Sequence, residues 1–446
     1  MLIKIENNKT TYNKSIYLLY MSNTSVIENM IIFELPNDNL NTKLEYEINS
    51  YDDYPRFNLG FHHYIHTNKD KLDIITEFEG KKKIYNVMNS FEVNVDDYDK
   101  SISNEVEKTI KTKILSKGFY KLWESLMILP LANSKKAMKV AYLSEGPGSF
   151  IQCIDAYRKL IAGVKNDTHY AITIIDPKNG QYVPQIDEKL QKNMSNLNVY
   201  NTTVKENGDL RTSNACDMFV KKFKIESKVD LVTADGKFKW NNDNTQEQEY
   251  VNLLVGQIYT ALRCLNKGGN LVLTVYETYT EVSLNLISIL SGLFDKLYIH
   301  KPLTSRPINS EKFIIGINFK DNASKMINIL KDILDQIAGN EKTLYKLKMK
   351  TSKLLKTTIL KLNNDISNNQ LKAINDITTF IDDANFHGDI YIEKNKEQIN
   401  ANSFWLSLFL PNQKDQLKTQ SELNKITEEL IDRNKSRIEK LVEIIV

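Results

Sequence analysis

Between Lys139 and Phe319, short β-branched and aromatic runs alternate with helical patterns, and no other feature limits the fold of this chain so tightly. Strand patterns at 139–143, 170–175, 197–200, 229–234, 270–276, 296–300 and 312–319 are separated by helical patterns near 149–162, 212–224, 245–265 and 281–293. Such alternation predicts a doubly wound, largely parallel α/β sheet. Lys267-Gly268-Gly269 reads as the C-cap of the 245–265 helix. Ahead of the first strand, one helical pattern runs from about Ser103 through Ile110, Phe119, Trp123 and Leu126 and stops before Pro130.

The flanks have a different character, which divides the chain into residues 1–105, 106–320 and 321–446. The first part reads as a strand-rich, mixed α+β region, with runs such as Ser15–Tyr20 and Met30–Leu35 between Asn/Asp/Pro clusters. The last part shows helical patterns without strands. Within it, Lys342–Lys356 is basic with leucines at helical spacing, so Lys346 and Lys350 are candidates for an RNA backbone or for a solvated face. The stretch 413–446 reads as a charged amphipathic helix that packs on its own chain. His62, His63 and His66 lie close together, but no cysteine or carboxylate stands at ligand spacing, so packing rather than a metal is expected there.

A formal net charge of +3 advertises no overall affinity for nucleic acid, so any such surface must be a local patch. Cys153, Cys216 and Cys264 are scattered and odd in number, which argues against a disulfide framework and a zinc site and fits a reducing compartment. No signal pattern opens the chain and no apolar run reaches membrane-spanning length, so a soluble protein without a membrane partner is expected.

In an open α/β sheet the ligand sits at the carboxyl ends of the strands. The first of those ends is Ser144-Glu145-Gly146-Pro147-Gly148-Ser149-Phe150, a tight turn into a helix. It lacks the Gly-Lys-Ser/Thr of a Walker loop and the third glycine of a dinucleotide fingerprint. The other ends carry Asp176, Asp209, Asp235-Gly236, Thr274 and Tyr276. Phosphate would call for lysines and backbone amides. A sulfonium cation with ribose hydroxyls calls for carboxylates and carbonyls, which points to S-adenosylmethionine.

Four stretches in order carry a resemblance. They are Gly118-Phe-Tyr-Lys-Leu-Trp-Glu124, Glu145-Gly-Pro-Gly-Ser-Phe150, Asp230-Leu-Val-Thr-Ala-Asp-Gly236 and Ser305-Arg-Pro-Ile-Asn-Ser-Glu-Lys-Phe313. Together they resemble the FtsJ-like RNA ribose 2′-O-methyltransferases, closest to the branch with cap-1 enzymes and proteins of large cytoplasmic DNA viruses. The resemblance implies a Rossmann-like, S-adenosylmethionine-dependent domain over 106–320. It also implies capped mRNA as substrate, capping or transcription proteins as partners, and a cytoplasmic or virion location. Glu145, Gly146, Pro147, Gly148, Ser149, Phe150, Asp176, Asp209 and Asp235 would hold the cofactor, with Asp209 near its adenine. The family's Lys-Asp-Lys-Glu tetrad falls on Lys121, Asp235 and Glu311, but Thr274 stands at the second lysine. Either a nearby lysine, Lys237 or Lys239, replaces it, or the fold serves as a non-catalytic RNA- or protein-binding subunit. Lys237, Lys239 and Arg306 are also expected to face RNA.

Overall fold

The computed structural model describes residues 30–38, 44–50, 57–77, 81–95, 101–174, 184–200, 208–237, 242–339, 342–382, 388–410 and 416–444. Its centre is one eight-stranded sheet. Five parallel strands, β3 (Lys139–Leu143), β4 (Thr168–Ile172), β5 (Leu197–Val199), β6 (Val229–Ala234) and β7 (Leu265–Val275), form one side. Three antiparallel strands, β9 (Lys312–Phe319), β8 (Phe294–Lys301) and β1 (Ile31–Leu35), extend it beyond β7. The spatial order is β1-β8-β9-β7-β6-β3-β4-β5. The chain leaves β3 toward β4 on one side and returns to β6 on the other. The crevice between the carboxyl ends of β3 and β6 is therefore the topological switch point.

Period-2 alternation within single strands builds two cores. In β3, Val140 and Tyr142 join Phe119, Trp123 and Phe150 on one face, while Ala141 and Leu143 join Phe219, Val255 and Ile258 on the other. Both faces are covered by helices, so the doubly wound α/β expectation holds.

Four sequence expectations are corrected. The described part of residues 1–105 is more helical than strand-rich, with helices Leu59–Lys69, Lys81–Val87 and Ile102–Ile110 beside β1 and a short strand β2 (Glu45–Asn49). In the first helix His62, Ile65 and His66 fall on one buried face, a three- and four-residue spacing that outweighs the β-propensity of the run. Ser15–Tyr20 lies outside the described residues. The pattern from Ser103 to Leu126 is two helices, Ile102–Ile110 and Gly118–Ile128, because Lys111 takes a left-handed φ of 59° and ends the first. The 246–264 helix ends at Cys264, where Leu265 turns extended into the core. Gly268-Gly269 therefore lies within β7 rather than capping the helix. Finally, Thr343–Lys348 is a strand, β10, paired antiparallel with β2. Leu344 and Leu347 are buried across a bulge, which sets aside a helix at this point, and the helical stretch begins at Lys353.

Arg158 ties the first helix after β3 to β4. It is buried, donates Nε to Asp167 Oδ2 at 2.6 Å and NH2 to Oδ1 at 2.9 Å, and reaches the Ala132 carbonyl at 2.8 Å. Asp167 in turn accepts the Met138 amide at 2.7 Å, just ahead of β3. Removing one member of a buried pair strands the other charge. Arg158→Met is expected to lower unfolding free energy in urea by about 3–5 kcal/mol without altering the denaturant slope.

Candidate active site

Each strand facing the switch point ends in a group whose side chain enters the crevice. After β3, Glu145 is buried; its Oε1 accepts the Phe150 amide at 2.8 Å at the start of the following helix, and its Oε2 has no hydrogen-bond partner. Burial, and then the nearby Asp235 charge, push its carboxyl well above the usual range. The loop that carries it is tightly covered. A Cβ on Gly146 would lie 1.7 Å from the Pro184 carbonyl oxygen, and Gly148 has a φ of 108°. Ser149 Oγ hydrogen-bonds Ser116 Oγ at 2.6 Å, and Phe150 packs edge-on to Phe313.

After β6 comes Asp235. Gly118, which opens the next-door helix, presses against it: a Cβ there would sit 3.5 Å from Asp235 Oδ2 and 3.3 Å from the Phe150 ring. Asp235 Oδ1 accepts the Thr274 hydroxyl at 2.8 Å, across from β7. Thr274 thus answers Asp235 with a neutral hydrogen bond.

Lys121 and Glu311, 190 positions apart in sequence, form a buried ion pair in direct hydrogen-bond contact. Lys237 lies against the other side of Glu311. Its Nζ is 3.1 Å from Glu311 Oε1 and 3.2 Å from Asp235 Oδ2. The result is a continuous chain, Lys121–Glu311–Lys237–Asp235–Thr274. Burial opposes the charge on Glu311, but Lys121 and then Lys237 outweigh it and hold the carboxyl well below its usual range. For Lys237, Asp235 and Glu311 likewise outweigh burial and raise the ammonium above its ordinary value.

The loop 302–311 that delivers Glu311 is fixed from inside. Lys301 Nζ donates to the Asn309 carbonyl at 2.6 Å and the Glu311 carbonyl at 3.1 Å, with Ser305 Oγ at 3.4 Å. Burial pushes the Lys301 ammonium down to about 7, against the pull of Glu311. Buried Glu124 accepts the Leu303 amide at 2.7 Å, the Thr304 amide at 3.0 Å and the Trp405 indole at 3.0 Å. Lys312, pushed down to about 8 by burial, donates to the Tyr276 carbonyl and fixes the loop after β7. Sequence reasoning passed over Lys301 and Lys312. The available signal was the lysine before Pro302 and the one closing Ser-Glu-Lys at 310–312.

The remaining sequence candidates have these surroundings. Asp209 is held by its own neighbour, Arg211, whose Nε lies 2.9 Å and 3.0 Å from the two carboxylate oxygens. Arg306 donates to Asn86 at 2.8 Å and faces Glu92 and the Tyr85 ring. Lys346 lies 3.7 Å from Glu47 on the two-stranded sheet, and Lys350 follows that sheet. Asp176 and Lys239 lie outside the described residues. The three cysteines are buried and free.

His62 and His66 gain a carboxylate that their own region lacks: Glu277, after β7, lies 3.1 Å from His66 Nε2. Its other oxygen faces Lys69 Nζ at 3.2 Å, and His62 Nε2 bonds the Asn244 carbonyl at 2.9 Å. The cluster ties the Leu59–Lys69 helix to the loop after β7, and it brings ligand atoms of His62, His66 and Glu277 within 4.8 Å of one another.

Residues 114–319 match the FtsJ-like methyltransferase family. This span contains Lys121, Glu145, Asp235, Lys237, Thr274 and Glu311. Among individual relatives, "Probable methyltransferase EP424R" of African swine fever virus is 31% identical over 270 residues, covering 56% of this chain and 59% of that protein. The Drosophila melanogaster "Cap-specific mRNA (nucleoside-2′-O-)-methyltransferase 2" is 27% identical over 253 residues, 54% of this chain and 35% of its own. An uncharacterized Acanthamoeba polyphaga mimivirus protein, L511, is 26% identical over 243 residues, 54% of this chain and 30% of its own. The chain thus spans well under two thirds of the length of these relatives. Among the described residues no helix is long and apolar enough to cross a membrane.

Within the matched span, Glu277 supplies a test of the lock. Burial opposes its charge, but His66, Lys69 and His62 lower its pKa from 4.5 to about 2. A depressed folded-state pKa gives stability that is present above pH 4.5 and lost as pH falls toward 2, about 3 kcal/mol in all. Urea melts from pH 6 downward should show that loss, and Glu277→Gln should start less stable and lack this part of the acid slope.

Proposed function

We propose that the chain is an S-adenosylmethionine-dependent RNA ribose 2′-O-methyltransferase acting on mRNA near its cap. The observation that carries this reading is the buried Lys121–Glu311 pair beside Asp235, at the carboxyl edge of the sheet and next to the Gly-Pro-Gly loop. Families of this kind normally use S-adenosylmethionine, and the donor set here fits it. Glu145 Oε2, buried and unpartnered, suits a ribose hydroxyl.

The bound cofactor would supply an electrophilic methyl carbon, whose bond to sulfur breaks with the electron pair staying on sulfur as a hydroxyl oxygen takes the methyl. The rest falls to this chain. A ribose hydroxyl is a poor nucleophile, so a group at the site must take its proton and a fixed cation must favour negative charge on the oxygen. Lys121, tied to Glu311 and carried on a rigid buried helix, supplies such a cation without needing to reorganise. Asp235, held by Thr274, keeps the opposite wall acidic. The relative named for cap-specific nucleoside-2′-O-methylation supports capped mRNA as substrate. The viral relatives support a cytoplasmic or virion setting.

The second reading, a silent RNA- or protein-binding subunit, rests on Thr274 at the usual lysine. Calorimetric titration with S-adenosylmethionine, followed by label transfer to capped RNA, separates the two. The enzyme reading expects binding and label on RNA, and no label when the acceptor nucleotides are 2′-deoxy. Binding without transfer favours the silent subunit, and no binding overturns the methyltransferase reading.

A further inference from the structure

The tetrad read along the sequence lacks its second lysine, yet the site holds two. Lys237 stands three residues beyond the end of β6, not at the end of β7, and still reaches the same two carboxylates. We infer that Lys237 is the catalytic lysine of this domain: the proton acceptor for the 2′-hydroxyl, relocated from position 274 to the loop after β6. The inference rests on the methyltransferase reading above and names the residue that would make it work.

Three features of the structure set Lys237 there. Gly236 is pressed onto the Gln246–Cys264 helix, where a Cβ would lie 2.6 Å from Gln257 Nε2 and 2.7 Å from Leu253. Its carbonyl also accepts the Tyr276 hydroxyl at 3.4 Å. The chain is thereby held against the helix just before Lys237, whose side chain turns back over Asp235. Second, the oxygens of Asp235 are divided, Oδ1 to Thr274 and Oδ2 to Lys237. The short threonine fills the strand end while leaving one carboxylate oxygen for the incoming ammonium, so the two residues answer each other. Third, Lys237 differs from Lys121 in access. Its side chain is 45% exposed against 10% for Lys121.

The proton balance is simple. The neutral Lys237 amine takes the hydroxyl proton as the oxygen–carbon bond forms, becomes an ammonium stabilised by Asp235 and Glu311, and returns the proton to water through its exposed face. Those carboxylates also favour the ammonium at rest, so the neutral form is scarce near pH 7. The rate should therefore rise about tenfold per pH unit on the alkaline side of neutrality.

The test uses the full chain in two arms. In the first, methyl transfer to capped RNA is measured for wild type, Lys237→Ala, Lys237→Arg and the double variant Lys237→Ala/Thr274→Lys. Loss of about 100-fold or more in Lys237→Ala and Lys237→Arg, with recovery to within about tenfold in the double variant, supports the inference. Arginine keeps both ion pairs but cannot give up its proton, so it separates a proton acceptor from a structural cation. Transfer by Lys237→Ala within about threefold of wild type overturns it, as does full activity of Lys237→Arg. The second arm needs no turnover. Protein carrying 13C-labelled lysine is titrated by NMR, and the Lys237 resonance, assigned by its loss in Lys237→Arg, is followed in Asp235→Asn and Glu311→Gln. A fall of about one pH unit or more in its midpoint in each variant supports the placement, and an unchanged midpoint overturns it. If wild type neither binds cofactor nor transfers methyl, the functional reading fails by itself, and this arm still decides where Lys237 lies.

Discussion

A carboxylate shared by two ammonium groups is the interaction on which the site depends. Burying Glu311 alone would cost several kcal/mol and would favour its protonated form. Lys121 on one side and Lys237 on the other reverse that preference, and Asp235 balances the second lysine. Neither charge is tolerable without the others, so the geometry must be delivered by stiff elements. It is: one lysine rides a helix buried along its whole length, and the glutamate stands directly before an eight-residue strand. The loop before that strand is stitched by Lys301 from below and by Glu124 from the side.

Much of this was legible in the chain. Strands 139–143, 229–234 and 312–319 and the 281–293 helix were readable because their apolar periodicity is uninterrupted and both faces are buried. Lys121, Asp235 and Glu311 could be named because local motifs carry them. Where the reading failed, tertiary pairing had overridden local pattern. Lys342–Lys356 looks helical until β2, some 300 positions earlier in the chain, supplies a partner for Thr343–Lys348. The first 105 residues read as strand-rich until the spacing of His62, Ile65 and His66 is set against one buried helix face.

The role of Lys237 was a different kind of problem. Sequence names it as one of two lysines after Asp-Gly but cannot say which way it turns, because that depends on Gly236 meeting a helix and on Thr274 leaving room. A motif records positions along a chain, whereas the chemistry needs only a position in space. A cation on the loop after β6 can therefore reach both a carboxylate of its own loop and one set just before β9.

Further braces of the site come from outside the matched span 114–319. Trp405 donates to Glu124, Gln370 to the Ile308 carbonyl, and Asn363 and Thr278 bond each other beside Tyr279 and Ser367. From the other flank, His66 and Lys69 grip Glu277. The matched span carries the reactive groups, and the flanks add to how firmly the two loops that carry them are held. Relatives with the same reactive groups but other flanks would thus differ in the stiffness of these loops. Lineage-specific change of that kind can accumulate far from any motif while still reaching the rate of the chemistry.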